Sequence, residues 1–118
     1  MDSSQEILWQ PSAHDIKKSR LTEYRHWLTG HHNLEFPDYE SLWQWSVDYP
    51  EIFWETIVIF FNVKMHSPYS SVMSGGPMPE TVWFDGATLN YAEHIFLGMK
   101  DQSIAMLFAS ESGQERSI

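Results

Sequence analysis

Apolar positions in the first third of the chain recur at helical spacing. Ser12, with Asp15 three residues on, has the form of a capping box opening a helix. Beyond it Ile16, Leu21, Tyr24, Trp27 and Leu28 fall mostly three and four residues apart, and Lys17, Lys18 and Arg25 lie largely off that stripe. Gly30 and the run His31-His32-Asn33 predict its C-cap and the loop that follows. Phe36-Pro37-Asp38 predicts the start of a second, short helix through Leu42, Trp43, Trp45 and Val47. A third is predicted at once, with Asp48 as N-cap, Pro50 in the first turn and Glu51 completing another box. Its body, Ile52 to Phe61, is apolar nearly all round, which predicts the most buried helix of the set. The β-branched run Ile57-Val58-Ile59 leaves a strand open there as an alternative.

The pattern then changes. Ser67 to Pro79 is rich in Ser, Pro and Gly and reads as a loop. Trp83-Phe84 predicts a short extended piece before a turn at Asp85-Gly86, and Asn90 with Glu93 forms a third box, opening a helix from Tyr91 to Leu97 that Gly98 stops. Ser103 to Ala109 predicts a strand, Glu111 to Gln114 a turn, and Arg116-Ser117-Ile118 the first residues of a returning strand. An isolated hairpin is marginal even when complete. The expectation is therefore a mainly α chain with a little β, truncated inside a hairpin whose sheet lies elsewhere. Residues 1–11 read as an extended arm, with Ile7, Leu8 and Trp9 able to dock.

Composition narrows the function classes. A chain of 118 residues is expected to be one domain burying roughly 65% of its unfolded surface. Six Trp, seven Phe and five Tyr must either fill that core or meet a partner. A formal charge of −9 argues against nucleic acid, which needs clustered cations; the Lys17, Lys18, Arg20 and Arg25 group reads as a solvated helix face. Without cysteine there is no disulfide, thiolate chemistry or Cys-type zinc site. The polar, acidic start MDSSQEILWQPS shows no signal peptide, and Ile57 to Phe61 is far too short to span a bilayer. The expectation is a soluble, cytoplasmic protein.

Candidate chemistry is thin. His26, His31 and His32 are close in sequence, but the last two are expected in a loop with no acidic partner at ligand spacing, and His14, His66 and His94 stand alone. Glu51 with Glu55 and Asp85 with Glu93 are candidate acid–base pairs, yet Glu51 and Glu93 already have expected capping roles. No serine sits in a nucleophile elbow. Ser74-Gly75-Gly76-Pro77 lacks the lysine and following helix of a phosphate loop and reads as a connector. Trp43, Trp45, Phe53 and Trp54 read as core rather than a ligand cage. The sequence therefore shows no catalytic, cofactor-binding or metal-binding constellation.

The overall pattern resembles the N-terminal region of acetoacetyl-CoA synthetases (acetoacetate–CoA ligases), adenylate-forming enzymes of the acyl-CoA synthetase superfamily. The resemblance covers nearly the whole chain. It is carried by Ile7 to Ser12, by Ser19-Arg20-Leu21-Thr22 with Trp27-Leu28, by Tyr39 with Leu42-Trp43 and Trp45-Ser46-Val47, and by Pro50-Glu51 with Phe53-Trp54. Its most specific part is Trp-Phe-x-Gly-x-x-Leu-Asn-Tyr-Ala-Glu, here Trp83, Phe84, Gly86, Leu89, Asn90, Tyr91 and Glu93. Acetate-activating relatives share Trp-Phe, the Gly and Leu-Asn, whereas Tyr-Ala-Glu favours the acetoacetate branch.

The resemblance implies a helical N-terminal segment over 1–100 and the start of an AMP-binding domain over 101–118. It implies a parent reaction in which a carboxylate and ATP give an acyl-adenylate, from which CoA displaces AMP, with ATP, magnesium and CoA used by the full-length enzyme. No catalytic motif of the family maps onto these residues, so the chain alone is expected to be inactive. Its expected partner is the downstream AMP-binding domain, to which the signature would clamp the helical cap: Trp83 and Phe84 by burial, Gly86 by permitting a turn, Asn90 by capping. The competing expectation is a stand-alone interaction module, or a decayed remnant, that uses exposed aromatics.

Overall fold

Local capping chemistry sets where the helices begin. In the computed structural model, which describes residues 7–118, Ser12 accepts the backbone N–H of Asp15 and the Asp15 carboxylate accepts that of Ser12, opening α1 (Ala13–Lys18). The first six positions of the expected N-terminal arm lie outside the described residues. The periodic stripe does not make one helix. Ser19 is extended (φ −69°, ψ 145°); its hydroxyl donates to the Ile16 carbonyl and accepts the Thr22 N–H, so it ends α1 and caps α2 (Arg20–His32). A serine that can satisfy both neighbouring ends competes with a continuous helix. Nor does Gly30 stop α2, which runs on to Asn33, a residue able to take the left-handed turn (φ +53°).

Asp38 caps α3 (Tyr39–Asp48), accepting the Ser41 N–H at 2.8 Å. The next start differs from expectation by one residue. Tyr49, not Asp48, precedes α4 (Pro50–Phe60), and no side chain caps that end. Asp48 closes α3 instead, with its carboxylate accepting from Gln44 at 2.9 Å, and Glu51 completes no box. Residues 57–59 lie within α4, so the strand alternative does not form.

The helices α2, α3 and α4 enclose one small core. Leu28 is fully buried, Tyr24 and Leu42 nearly so, and Trp27, Leu34, Phe36, Trp45, Phe53, Ile57 and Phe60 pack around them. Thr56 is buried on α4 and its hydroxyl meets the Tyr24 hydroxyl at 2.6 Å, pairing two polar atoms that burial would otherwise penalise. Tyr24 also meets Phe60 edge-on at 5.2 Å. As expected, α4 is the least exposed of the helices, although Ile52, Trp54 and Ile59 remain 43–52% exposed. An all-round apolar helix needs neighbours on every side, and α2, α3 and the ring of Trp83 cover only part of α4.

The stretch read as a loop contains a strand. Here β1 (Met73–Gly75) pairs antiparallel with β2 (Thr81–Trp83) in the register Met73↔Trp83, Ser74↔Val82 and Gly75↔Thr81. Gly75 (φ +84°) is required, because a Cβ there would lie 2.4 Å from the Glu80 carbonyl oxygen. After α5 (Tyr91–Phe96), β3 (Leu107–Ala109) and β4 (Glu115–Ser117) form a second antiparallel hairpin, shorter than the strand expected from Ser103 and exposed at every strand position.

The elements do not close into a ball. The radius of gyration is 19.6 Å, against about 13.5 Å for a compact domain of this length. The accessible surface is 10122 Å², against about 6,600 Å² for a compact monomer of this mass. Folding here buries about half of the extended chain's surface rather than the expected two thirds.

Candidate interdomain connector

The residues from Trp83 to Glu93 lie along the segment that leaves α4, forming an irregular antiparallel ribbon that extends the β1–β2 pair. Phe84 N–H donates to Val72 at 2.8 Å, Asp85 N–H to Ser71 at 3.1 Å, Ser70 N–H to Asp85 at 2.8 Å and His66 N–H to Thr88 at 2.7 Å. The Ser67 hydroxyl donates to the Gly86 carbonyl and lies 2.8 Å from the Thr88 hydroxyl. Backbone groups that would be unpaired in a loop are thus paired across the ribbon.

Two residues turn the strand. Phe84 has φ +48°, uncommon for an aromatic residue, and its ring packs edge-on against Tyr69 at 5.3 Å. Gly86 follows at φ +85°, where only glycine is unstrained. Trp83 is 39% exposed and meets Trp54 of α4 at 6.1 Å, joining ribbon and helices. Tyr69 points its hydroxyl at the Glu55 carboxylate (3.5 Å); partial burial, and then the Glu55 charge, push its pKa up. Leu89 and Tyr91, at the other end of the signature, are 49% and 73% exposed.

Asn90 caps α5 by accepting the Glu93 N–H at 3.1 Å. The expected reciprocal half of the box is not made. The Glu93 carboxylate turns away, pairing one oxygen with the Lys64 ammonium and the other with His66 Nε2 at 2.5 Å. Hydrogen bonds from Lys64 and then His66, reinforced by charge, hold the Glu93 carboxyl below its ordinary pKa. Lys64 N–H also faces His94 Nδ1 at 3.5 Å. Glu93 therefore belongs to a mixed-charge cluster rather than an acid pair with Asp85, whose carboxylate accepts from Ser70 at 3.3 Å. Sequence reasoning missed this cluster, because Lys64 and His66 precede Glu93 by 29 and 27 residues and no local pattern links them.

The other candidates disperse. His31 and His32 are in the last turn of α2, not in a loop, and each packs on Trp27 with ring centres 5.0 Å apart. Among the described residues no three His, Asp or Glu side chains are arranged to hold a metal. Arg20 pairs with Glu23 at 2.6 Å, and the Arg25 guanidinium donates to the Phe36 carbonyl. Trp45 and Phe53 pack together at 5.9 Å, whereas Trp43 and Trp54 are 45% and 43% exposed. Gly75 and Gly76 end β1 and lead toward β2, not into a helix, and the Glu80 carboxylate lies 2.7 Å from where a Gly76 Cβ would be. An anionic side chain in that position does not fit a nucleotide phosphate. No described helix is long and apolar enough to cross a membrane.

Known proteins match this arrangement. The family described as the acetyl-coenzyme A synthetase N-terminus matches residues 39–95, from the start of α3 to near the end of α5. Acetoacetyl-CoA synthetase of Danio rerio is 34% identical over 116 residues, covering 95% of this chain and 16% of that protein. The Gallus gallus enzyme of the same name is 30% identical over 117 residues, covering 96% and 17%. The solved structure of acetoacetyl-CoA synthetase from Streptomyces lividans superposes with a TM-score of 0.83 at 36% identity, covering 95% of this chain and 18% of that one. The chain thus spans about a sixth of the length of the curated relatives it matches.

Proposed function

Because this chain corresponds to the N-terminal region of acetoacetyl-CoA synthetases, we propose that it is the helical cap of an acetoacetate–CoA ligase and supplies no catalytic group. The parent reaction joins acetoacetate to CoA with conversion of ATP to AMP and diphosphate, in the cytoplasm, with magnesium and both nucleotides held by the downstream AMP-binding domain. Residues 1–100 form the cap and 101–118 begin that domain. Trp83, Phe84, Gly86, Leu89, Asn90, Tyr91 and Glu93 act as the structural joint between them.

One observation carries the reading: the superposition on the Streptomyces lividans acetoacetyl-CoA synthetase. The surface supports it. Tyr39, Trp43 and Val47 form an exposed i, i+4, i+8 stripe on α3. Met106, Phe108 and Ile118 share one face of the β3–β4 hairpin and are all more than half exposed. Apolar faces of this extent mark surfaces made to be covered.

The test captures the native product through an epitope in residues 12–30 and reads its mass and acetoacetate-dependent AMP release. The expected product is several-fold heavier than 13.8 kDa and releases AMP, while the isolated chain releases none. A native product of 13.8 kDa, or release by the isolated chain that survives gel filtration, overturns the reading. The first of those outcomes leaves the stand-alone interaction module, served by the same exposed aromatics.

A further inference from the structure

We propose that the β3 edge of the C-terminal hairpin pairs antiparallel with the β3 edge of a second copy of this chain, about a twofold axis at Phe108. The inference does not rest on the ligase reading and concerns the 118-residue chain by itself. Met106 and Ile118 exchange N–H···O bonds in both directions, and Ser110 N–H donates to Gln114. Bonded and open pairs alternate along an antiparallel ladder, so Phe108 is bonded to Arg116 while the backbone groups of Leu107 and Ala109 face outward. A twofold at Phe108 sets Leu107 opposite Ala109 of the second copy, and the reverse, and each of these pairs exchanges its outward N–H and C=O groups. The two Phe108 rings then meet in the close, non-hydrogen-bonded kind of pair that favours aromatic contact.

The chemistry of the two edges selects this occupant. β4 is guarded by Glu115 and Arg116, and its own three-residue twofold register would set Arg116 against Arg116. β3 reads Leu107-Phe108-Ala109, with no charge or proline to turn a strand away. Ile104, Met106, Leu107, Phe108 and Ile118 around it are all more than half exposed. The accessible surface of 10122 Å² exceeds the roughly 6,600 Å² of a compact monomer by several times the ~800 Å² that one partner gives to a standard interface. Area for a dimer is therefore present. An edge of three residues is short, so the pairing is weak and the dilute chain is monomeric. The net charge of −9 opposes association, and salt therefore tightens it.

The experiment is sedimentation equilibrium of the purified chain from about 1 μM to about 1 mM, the span in which weak complexes form. The mass is expected to climb from 13.8 kDa toward twice that value, and to do so at lower concentration in high salt than in low. Hydrogen exchange of the Leu107 and Ala109 amides is expected to slow as the dimer fills. F108K removes the aromatic pair and charges the edge. It is expected to raise the dissociation constant at least about thirtyfold and to keep the helical circular dichroism, because Phe108 is exposed. F108Y keeps the association, and Y39K, on the exposed α3 stripe, leaves it unchanged. A mass that stays at 13.8 kDa throughout, or association that survives F108K, overturns the proposal. So does a dimer that is lost in Y39K instead, or one whose Leu107 and Ala109 amides exchange as in the monomer.

Discussion

The helical core and the C-terminal hairpin use the same kind of residues to opposite effect. Leu28, Leu42 and Tyr24 are enclosed by α2, α3 and α4, and even the buried Thr56 hydroxyl has its partner. Leu107, Phe108 and Ile118 are 81%, 56% and 72% exposed, although β3 and β4 pair in good register. Backbone pairing therefore orders the hairpin without packing it. Since hydrogen bonds contribute little net stability and apolar burial contributes most, the helical region carries packing energy that the hairpin lacks.

The sharpest way to break this contrast is to truncate one side chain in each region. Leu28→Ala leaves a cavity at a site with no access to solvent and is expected to cost about 2–5 kcal/mol, read by urea unfolding monitored through tryptophan fluorescence. Phe108→Ala removes a larger side chain and is expected to change the same transition by less than about 0.5 kcal/mol. In the full-length ligase proposed above, the order of the two effects is expected to narrow, because the hairpin face would be covered there. Equal losses in the isolated chain would show that the hairpin packs on the helices after all.

Two smaller changes sharpen the contrast within its ordered part. Thr56→Val keeps the shape of the core but leaves the Tyr24 hydroxyl without its partner, at a cost of about 1–3 kcal/mol; the measurement is again the urea midpoint. Gly86→Ala acts on the ribbon, where φ is +85° and a Cβ meets nothing closer than the Pro68 carbonyl at 3.6 Å. Its cost is backbone strain alone, about 1–2 kcal/mol. Hydrogen exchange should place it in residues 64–94 and leave α2 and α3 untouched.

What could be read from the residues was what is local. The cap at Ser12, the start of α3 after Phe36-Pro37-Asp38 and the Asn90 end of α5 were legible because helix starts are set by side chains within three positions. The helical character and the family likeness were legible for the same reason. The break at Ser19 was not, since a serine inside an apolar stripe gives no sign that it will satisfy two helix ends at once. Gly30 was mistaken for the stop that Asn33 supplies, because helix interiors tolerate glycine and Asn also takes the left-handed turn. The exposure of α4 could not be read from its own pattern, since burial depends on neighbours. Of the connector, the motif from Trp83 to Glu93 was visible, but the partners of Glu93 were hidden by distance along the chain.

The smallest effect separates the regions by pH. Asp38 accepts the Ser41 N–H at the start of α3, and that hydrogen bond, then the Ser41 hydroxyl and the charge of Arg25, holds its carboxyl below the ordinary carboxylate range. A lowered pKa in the folded state means the proton favours the unfolded chain, so the contribution is complete above about pH 4. It is lost as pH falls through the lowered folded value. Circular dichroism is therefore expected to stay level from pH 7 to 5 and to show α3 loosening only at stronger acid. Asp38→Asn keeps a good cap that cannot titrate and should flatten this acid response, whereas Asp38→Ala should loosen α3 at every pH. Loosening of the Asn variant in step with the wild type would assign the acid response to the core rather than the cap. The β3–β4 hairpin, which shares no contact with Asp38, should exchange its amides at the same rate in all three proteins.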